Sequence, residues 1–233
     1  MENVISNLGE KEDEVSLLGQ PVRLSWISDN VWVASASQTL GCDVLNTSDN
    51  TLSQLSFDGL SGVYSFWQTS DSEVVAACVD GLYSLSPQGT LRYEICNGHF
   101  TDVCSSDDSL VAIEMLKCEV QVFKINSEKW VLQHAFTVNN ADQRFKNICV
   151  QGGVVHICDC WYVMIYKYTL SGEYLEQHGS TRGQTLGQFS APYVSGTDCN
   201  NTLIVCDTDN HRVQTKSQME SGNNTDYQRE SHL

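Results

Sequence analysis

Proline is scarce, with 3 residues in 233, and no Pro-, Gly- or Ser-rich linker interrupts the chain, so nothing in its composition divides it. Cations are few as well: 13 Lys and Arg stand against 29 Asp and Glu, a net charge of −16. A field of that sign repels phosphate backbones, and so few scattered cations leave little material for a basic face. Nucleic-acid binding is therefore disfavoured. No apolar run reaches the about 18 residues that a membrane-spanning helix needs. The acidic start MENVISNLGEKEDEVSLLG also has no hydrophobic segment of the secretory type. A cytoplasmic protein without a membrane partner is the expectation.

Catalytic signatures are missing too. There is no GxSxG elbow, phosphate-binding Walker loop, HExxH pair or EF-hand loop. The six histidines, His99, His134, His156, His178, His211 and His232, show no pair at ligand spacing. The ten cysteines form no CxxC pair. Several lie inside apolar runs, such as Cys158 in VVHICD and Cys206 in LIVCD, where a thiol acts as a small core hydrophobe. No metal or cofactor is expected, and the chain is not expected to be an enzyme.

Short apolar runs rich in β-branched residues are abundant, while helical periodicity is almost absent. VWVAS starts at Val31, VVAAC at Val74, LVAIE at Leu110, VHICD at Val155 and LIVCD at Leu203, spaced 43, 36, 45 and 48 residues apart. Ten residues on from Leu110, Val155 and Leu203, a further strand begins at Val120, Ile165 and Val213; in the second repeat it comes sooner, after a tight turn at Asp80-Gly81. A turn and another strand follow (LRYEI, WVLQHAF, EYLEQ), and one more apolar segment precedes each run (PVRLSWI, GVYSFW, FTDVCS, FKNICV, PYVSG). Each unit is thus four short strands. Such a sheet covers both faces only by stacking on its neighbours, so the predicted fold is an all-β propeller of four-stranded antiparallel blades, about five in number.

The last unit carries a more specific pattern. Gly183, Gly187, Phe189, Pro192 and Val194 lead to Leu203-Ile-Val-Cys-Asp207 and then Asn210-His211-Arg212-Val213-Gln214. This resembles the NHL repeat, and Asp159 stands in the preceding unit where Asp207 stands here. The resemblance is strong over residues 145–214; over residues 20–145 it is one of architecture. It implies turn and packing roles: Asp207 accepting amides of the following turn, Asn210 taking a left-handed conformation, Arg212 pairing with Asp207 or a neighbouring blade, and Phe189 filling the gap between sheets.

Cytosolic NHL propellers resemble the C-terminal part of tripartite-motif (TRIM-NHL) ubiquitin-ligase proteins, and the RING, B-box and coiled-coil pattern is not seen in this sequence. The resemblance implies a non-catalytic module that recognises a protein partner. Two alternatives are single-stranded RNA, opposed by the charge, and a metal-dependent lyase of the amidating-lyase type, for which His99 and His156 would have to lie near the central channel. The candidate partner-binding residues are Trp161 and Tyr162, in a turn whose counterpart Asp207-Thr208-Asp209-Asn210 is polar, and Arg182 in the lead-in. The aromatics either anchor a partner or, for Trp161, fold back over the next blade. Residues 1–19 form an acidic segment containing a candidate closing strand, EVSLLG; residues 20–215 form the propeller; residues 216–233 form a disordered polar tail. Because the tail replaces an expected outer strand, the chain reads as a truncated or spliced piece of a longer NHL protein, or as a five-bladed variant closed by its N-terminus.

Overall fold

A computed structural model describes residues 21–35, 41–57, 59–60, 62–106, 108–138, 145–179, 181–197 and 202–215. The expected closing strand in residues 1–19 and the tail at 216–233 lie outside the described residues. The described residues form nineteen strands and one short 3-10 turn, Thr208–Asn210. They make five antiparallel sheets of consecutive strands.

The first blade comprises β1 (Pro21–Ile27), β2 (Asn30–Ser35), β3 (Gly41–Asn46) and β4 (Leu52–Ser56). The second comprises β5 (Val63–Gln68), β6 (Val74–Cys78), β7 (Gly81–Leu85) and β8 (Leu91–Asn97). The third has β9 (Phe100–Ser106), β10 (Ser109–Glu114), β11 (Glu119–Asn126) and β12 (Lys129–Thr137). The fourth has β13 (Phe145–Gln151), β14 (Val154–Asp159), β15 (Met164–Thr169) and β16 (Tyr174–His178). The fifth has three strands among the described residues, β17 (Pro192–Thr197), β18 (Leu203–Asp207) and β19 (Arg212–Thr215).

The first strands of consecutive blades lie side by side, β1 with β5, β5 with β9, β9 with β13 and β13 with β17, and so surround a common axis. This is a β-propeller. The apolar runs seen in the sequence are the second strands, and their lack of polar alternation has a direct cause. In β10, Leu110 and Ala112 pack toward the second blade while Val111 and Ile113 pack toward the fourth. With both faces covered, every position is apolar. Four buried clusters fill the four gaps between neighbouring blades, and Phe189 closes the last of them against Cys158, Ile165 and Val205.

The outward faces of the first and fifth blades differ. Along β1, Ser25 and Ile27 are buried while Leu24 and Trp26 are 50% and 64% exposed. Along β18 burial alternates in the same way. Among the described residues, β17 and β1 do not pack together as the four consecutive pairs do.

The sequence reading needs small corrections at the turns. The second hairpin turns at Val79–Asp80, and Gly81 instead opens β7, where a Cβ would come within 2.8 Å of the Cys96 carbonyl oxygen. The third strands of the later blades start one residue early, at Glu119, Met164 and Arg212. All nine cysteines among the described residues are free thiols, with Cys42, Cys78, Cys104 and Cys158 buried.

Candidate functional site

A four-stranded blade has two ends. Turns between second and third strands gather at one end with the connectors between blades, here called the connector end. Turns between first and second and between third and fourth strands gather at the other, the hairpin end. The hairpin end is built from polar turns that satisfy themselves: Asp49 accepts from the backbone N–H and hydroxyl of Thr51, and Ser86 Oγ accepts from the N–H groups of Gln88 and Thr90.

The connector end is different. Among the described residues, the exposed large apolar side chains that lie outside strands are Val79, Leu116, Trp161, Tyr162 and Leu186, and every one is at this end. Exposure is 66% for Leu116, 60% for Trp161 and 43% for Tyr162. Trp161 is thus more exposed than buried. The loop joins the second strand of the blade to the third.

Three turns at this end share one construction. Glu114, Asp159 and Asp207 end β10, β14 and β18 and are buried. In the fourth blade Asp159 Oδ1 accepts the N–H groups of Trp161 and Tyr162, each at 2.9 Å. In the third, Glu114 accepts the N–H groups of His99 at 2.9 Å and Lys117 at 2.5 Å. The fourth residue of each turn, Cys118, Val163 or His211, takes a left-handed conformation, with φ of 57°, 54° and 51°. For the β-branched Val163 this conformation is strained. It turns Val163 into the core while Trp161 and Tyr162 stay outside.

The fifth blade uses its carboxylate differently from the expectation. Asp207 accepts from Ser190 N at 2.6 Å, Asn210 Nδ2 at 2.7 Å and Arg212 Nε at 2.9 Å, and not from amides of the following turn. The left-handed residue is His211 rather than Asn210, whose side chain instead donates to the Gly183 carbonyl and to Asp207. Arg212 pairs with Asp207 and donates to the carbonyls of Gln184, Thr185 and Gln188, tying the lead-in to the blade. Gly187, at φ 82°, gives its N–H to Gln214 Oε1 within that lead-in. Replacing Arg212 with Ala is expected to cost about 2 kcal/mol, since it leaves a buried carboxylate short of its cation. Hydrogen exchange should show the loss confined to residues 181–215; equal loss across all blades would contradict this local role.

Arg182 lies on the same end but is already engaged. Its Nη1 donates to Ser190 O at 3.2 Å and Ser190 Oγ at 3.0 Å, and lies 3.4 Å from Asp209 Oδ2. The histidines do not converge. His99 stacks on Tyr64 beside the axis at 5.5 Å between ring centroids, whereas His156 lies on β14, opposite Cys149 and Lys167. Among the described residues no three His, Cys, Asp or Glu side chains are grouped to hold a metal. None of their helices is long and apolar enough to cross a membrane.

Two features were missed in the sequence. At the axis, Asp102 (1% exposed) accepts from Ser65 Oγ at 2.5 Å, Asn147 Nδ2 at 2.8 Å and Ile148 N at 2.9 Å, and Arg23 Nη2 lies 3.4 Å away. Arg23, Ser65, Asp102 and Asn147 are the third residues of β1, β5, β9 and β13, each just past a register slip. A polar third position in PVR, VYS, FTD and FKN was the available signal. The second feature is a cavity of about 590 Å³ lined by Trp67, Ser105, Ser106, Cys149, Gln151 and Gly152 among others. These come mainly from the hairpin-end halves of the axial strands. Its walls carry no formal charge, and burial pushes the Cys149 thiol up to about 11, so it stays protonated.

No protein-family model matches the chain, and no curated protein matches it in sequence. Solved structures do resemble it. The Cps50 (Swd1) β-propeller domain of Myceliophteria thermophila superposes with a TM-score of 0.61 at 11% identity, covering 82% of this chain and 66% of that one. A protein of unknown function from Bacteroides thetaiotaomicron gives 0.66 at 14%, covering 84% and 57%. A catalytically inactive virginiamycin B lyase from Staphylococcus aureus, solved with quinupristin, gives 0.63 at 13%, covering 88% and 71%. At such identities the likeness establishes the propeller fold and nothing narrower. The chain spans less than two thirds of the length of the Bacteroides protein and just under that of the Cps50 domain.

Proposed function

We propose that the chain is a protein-interaction module, an NHL-type propeller that recognises its partner through the connector end. The observation that carries this reading is the segregation of exposed apolar turn residues to one end, with Leu116 on the third blade's turn, Trp161 and Tyr162 on the fourth blade's turn and Leu186 on the connector to the fifth. An exposed apolar patch framed by polar residues is the usual signature of an interaction site, and aromatic anchors contribute most to such interfaces. Asp159 adds to it by holding the Trp161–Tyr162 loop in place before any partner arrives, which lowers the ordering cost of binding. The NHL assignment rests on the residues from Gly183 to Gln214, whose side chains form the lead-in and turn contacts described above. In this reading any ubiquitin-ligase chemistry belongs to other segments of a longer protein, and the net charge of −16 opposes RNA as the partner.

A photo-crosslinking residue placed at Leu116 should yield a discrete protein adduct that the same residue at Ser48, on the hairpin end, does not. Trp161→Ala with Tyr162→Ala should then weaken that partner about thirtyfold, the effect of losing about 2 kcal/mol of anchor, with the unfolding midpoint unchanged. Equal crosslinking at both ends, or unchanged affinity in the folded double variant, would overturn the reading.

A further inference from the structure

The nature of the partner can be taken further, on the premise that the connector end is its docking surface. Blades four and five carry the same carboxylate at the same place, but its partners differ. Opposite Asp207 in the strand register stands Arg212, whose guanidinium bonds the carboxylate. Opposite Asp159 stands Met164, and opposite Glu114 stands another acid, Glu119. Asp159 is fully buried, and its Oδ2 accepts no hydrogen bond. Neither Asp159 nor Glu114 has a cation within 4.0 Å among the described residues.

The two turns with the most exposed apolar side chains therefore follow buried carboxylates that have no cation within 4.0 Å among the described residues. The loop whose N–H groups Asp159 accepts exposes Trp161 and Tyr162, aromatic side chains whose ring faces attract cations. Of the described cations on the loops of this end, Lys117 is exposed on the third blade's turn, and Arg182 is held by Ser190 and Asp209. The whole chain, at −16, draws positive partners toward it.

We propose that the partner is a basic protein segment that places an arginine or lysine side chain against the Trp161 and Tyr162 rings, over the Asp159 carboxylate. It supplies from outside the cation that Arg212 supplies within the fifth blade. The apolar neighbours Leu116 and Leu186 suit aliphatic residues flanking that cation.

The test is selection of a phage-displayed library of random twelve-residue peptides on the immobilised full chain, followed by affinity measurement on synthetic copies of the enriched peptides. The expected peptides contain Arg or Lys, compete with one another and lose about tenfold or more in affinity when that residue becomes Gln. Asp159→Asn keeps an acceptor for the two loop amides and removes only the charge. It should weaken the Arg or Lys peptide about five- to tenfold while leaving its Gln counterpart unaffected. Peptides that need Trp161 and Tyr162 yet are neutral or acidic, or that tolerate the change to Gln, would sink this inference and leave protein recognition standing. Peptides indifferent to Trp161→Ala with Tyr162→Ala, or no enrichment at all, would sink the docking surface itself.

Discussion

Raising the pH from 8 to 10 is expected to unfold the protein. Cys42, Cys78, Cys104 and Cys158 are at most 1% exposed. Burial, with Asp43 adding, pushes the Cys42 thiol up to about 12, and burial raises the other three thiols as well. In the unfolded chain a thiol titrates near 8.5. Below that value both states keep the proton and stability is at its full level. Above it the unfolded state releases protons that the folded state holds, so each pH unit favours unfolding by about 1.4 kcal/mol per thiol until the folded value is reached. At pH 10 that is about 2 kcal/mol for the Cys42 thiol, and the other three act in the same direction, against the 5–15 kcal/mol that holds an ordinary domain together. Denaturant midpoints measured under reducing conditions at pH 8, 9 and 10 would show the fall, and Cys42→Ala should remove part of it. A profile flat to pH 10 would mean that these side chains ionise without leaving the core, contrary to their burial.

Asp102→Ala is expected to cost about 3–5 kcal/mol, among the largest effects of any single substitution. The carboxylate is shared by the first four blades: Arg23 comes from β1, Ser65 from β5, and Asn147 with the Ile148 N–H from β13. Removing it leaves a guanidinium and four donors, the Val103 N–H among them, facing a region from which water is largely excluded. Asp102→Asn keeps an acceptor and should cost less. The pair Arg23→Met with Asp102→Leu should recover much of the loss, because apolar replacements no longer demand partners. Urea unfolding of the three variants checks this; a loss below about 1 kcal/mol in Asp102→Ala would show that the axial network does not hold the blades together.

Much of this fold is legible in the residues, and the reason is local. Second strands are covered on both faces, so VVAAC, LVAIE and VHICD read as unbroken apolar runs wherever the chain places them. Their recurrence identifies the blades. Errors fell on turns, where one residue of shift changes little in an apolar pattern: the bend at Val79–Asp80 rather than Asp80–Gly81, and the left-handed residue at His211 rather than Asn210.

Strand content, blade repeats and the candidate aromatics Trp161 and Tyr162 were determined by the sequence alone, because each depends on residue type and spacing along the chain. The tertiary structure decided what depends on proximity between distant segments. It brought Arg23 to Asp102 across 79 positions of sequence, gathered Leu116, Trp161 and Leu186 at one end, and placed Arg212 opposite Asp207 but Met164 opposite Asp159. Repeats report that blades stack; only the stacking itself determines which side chains meet at the axis and which remain in solvent.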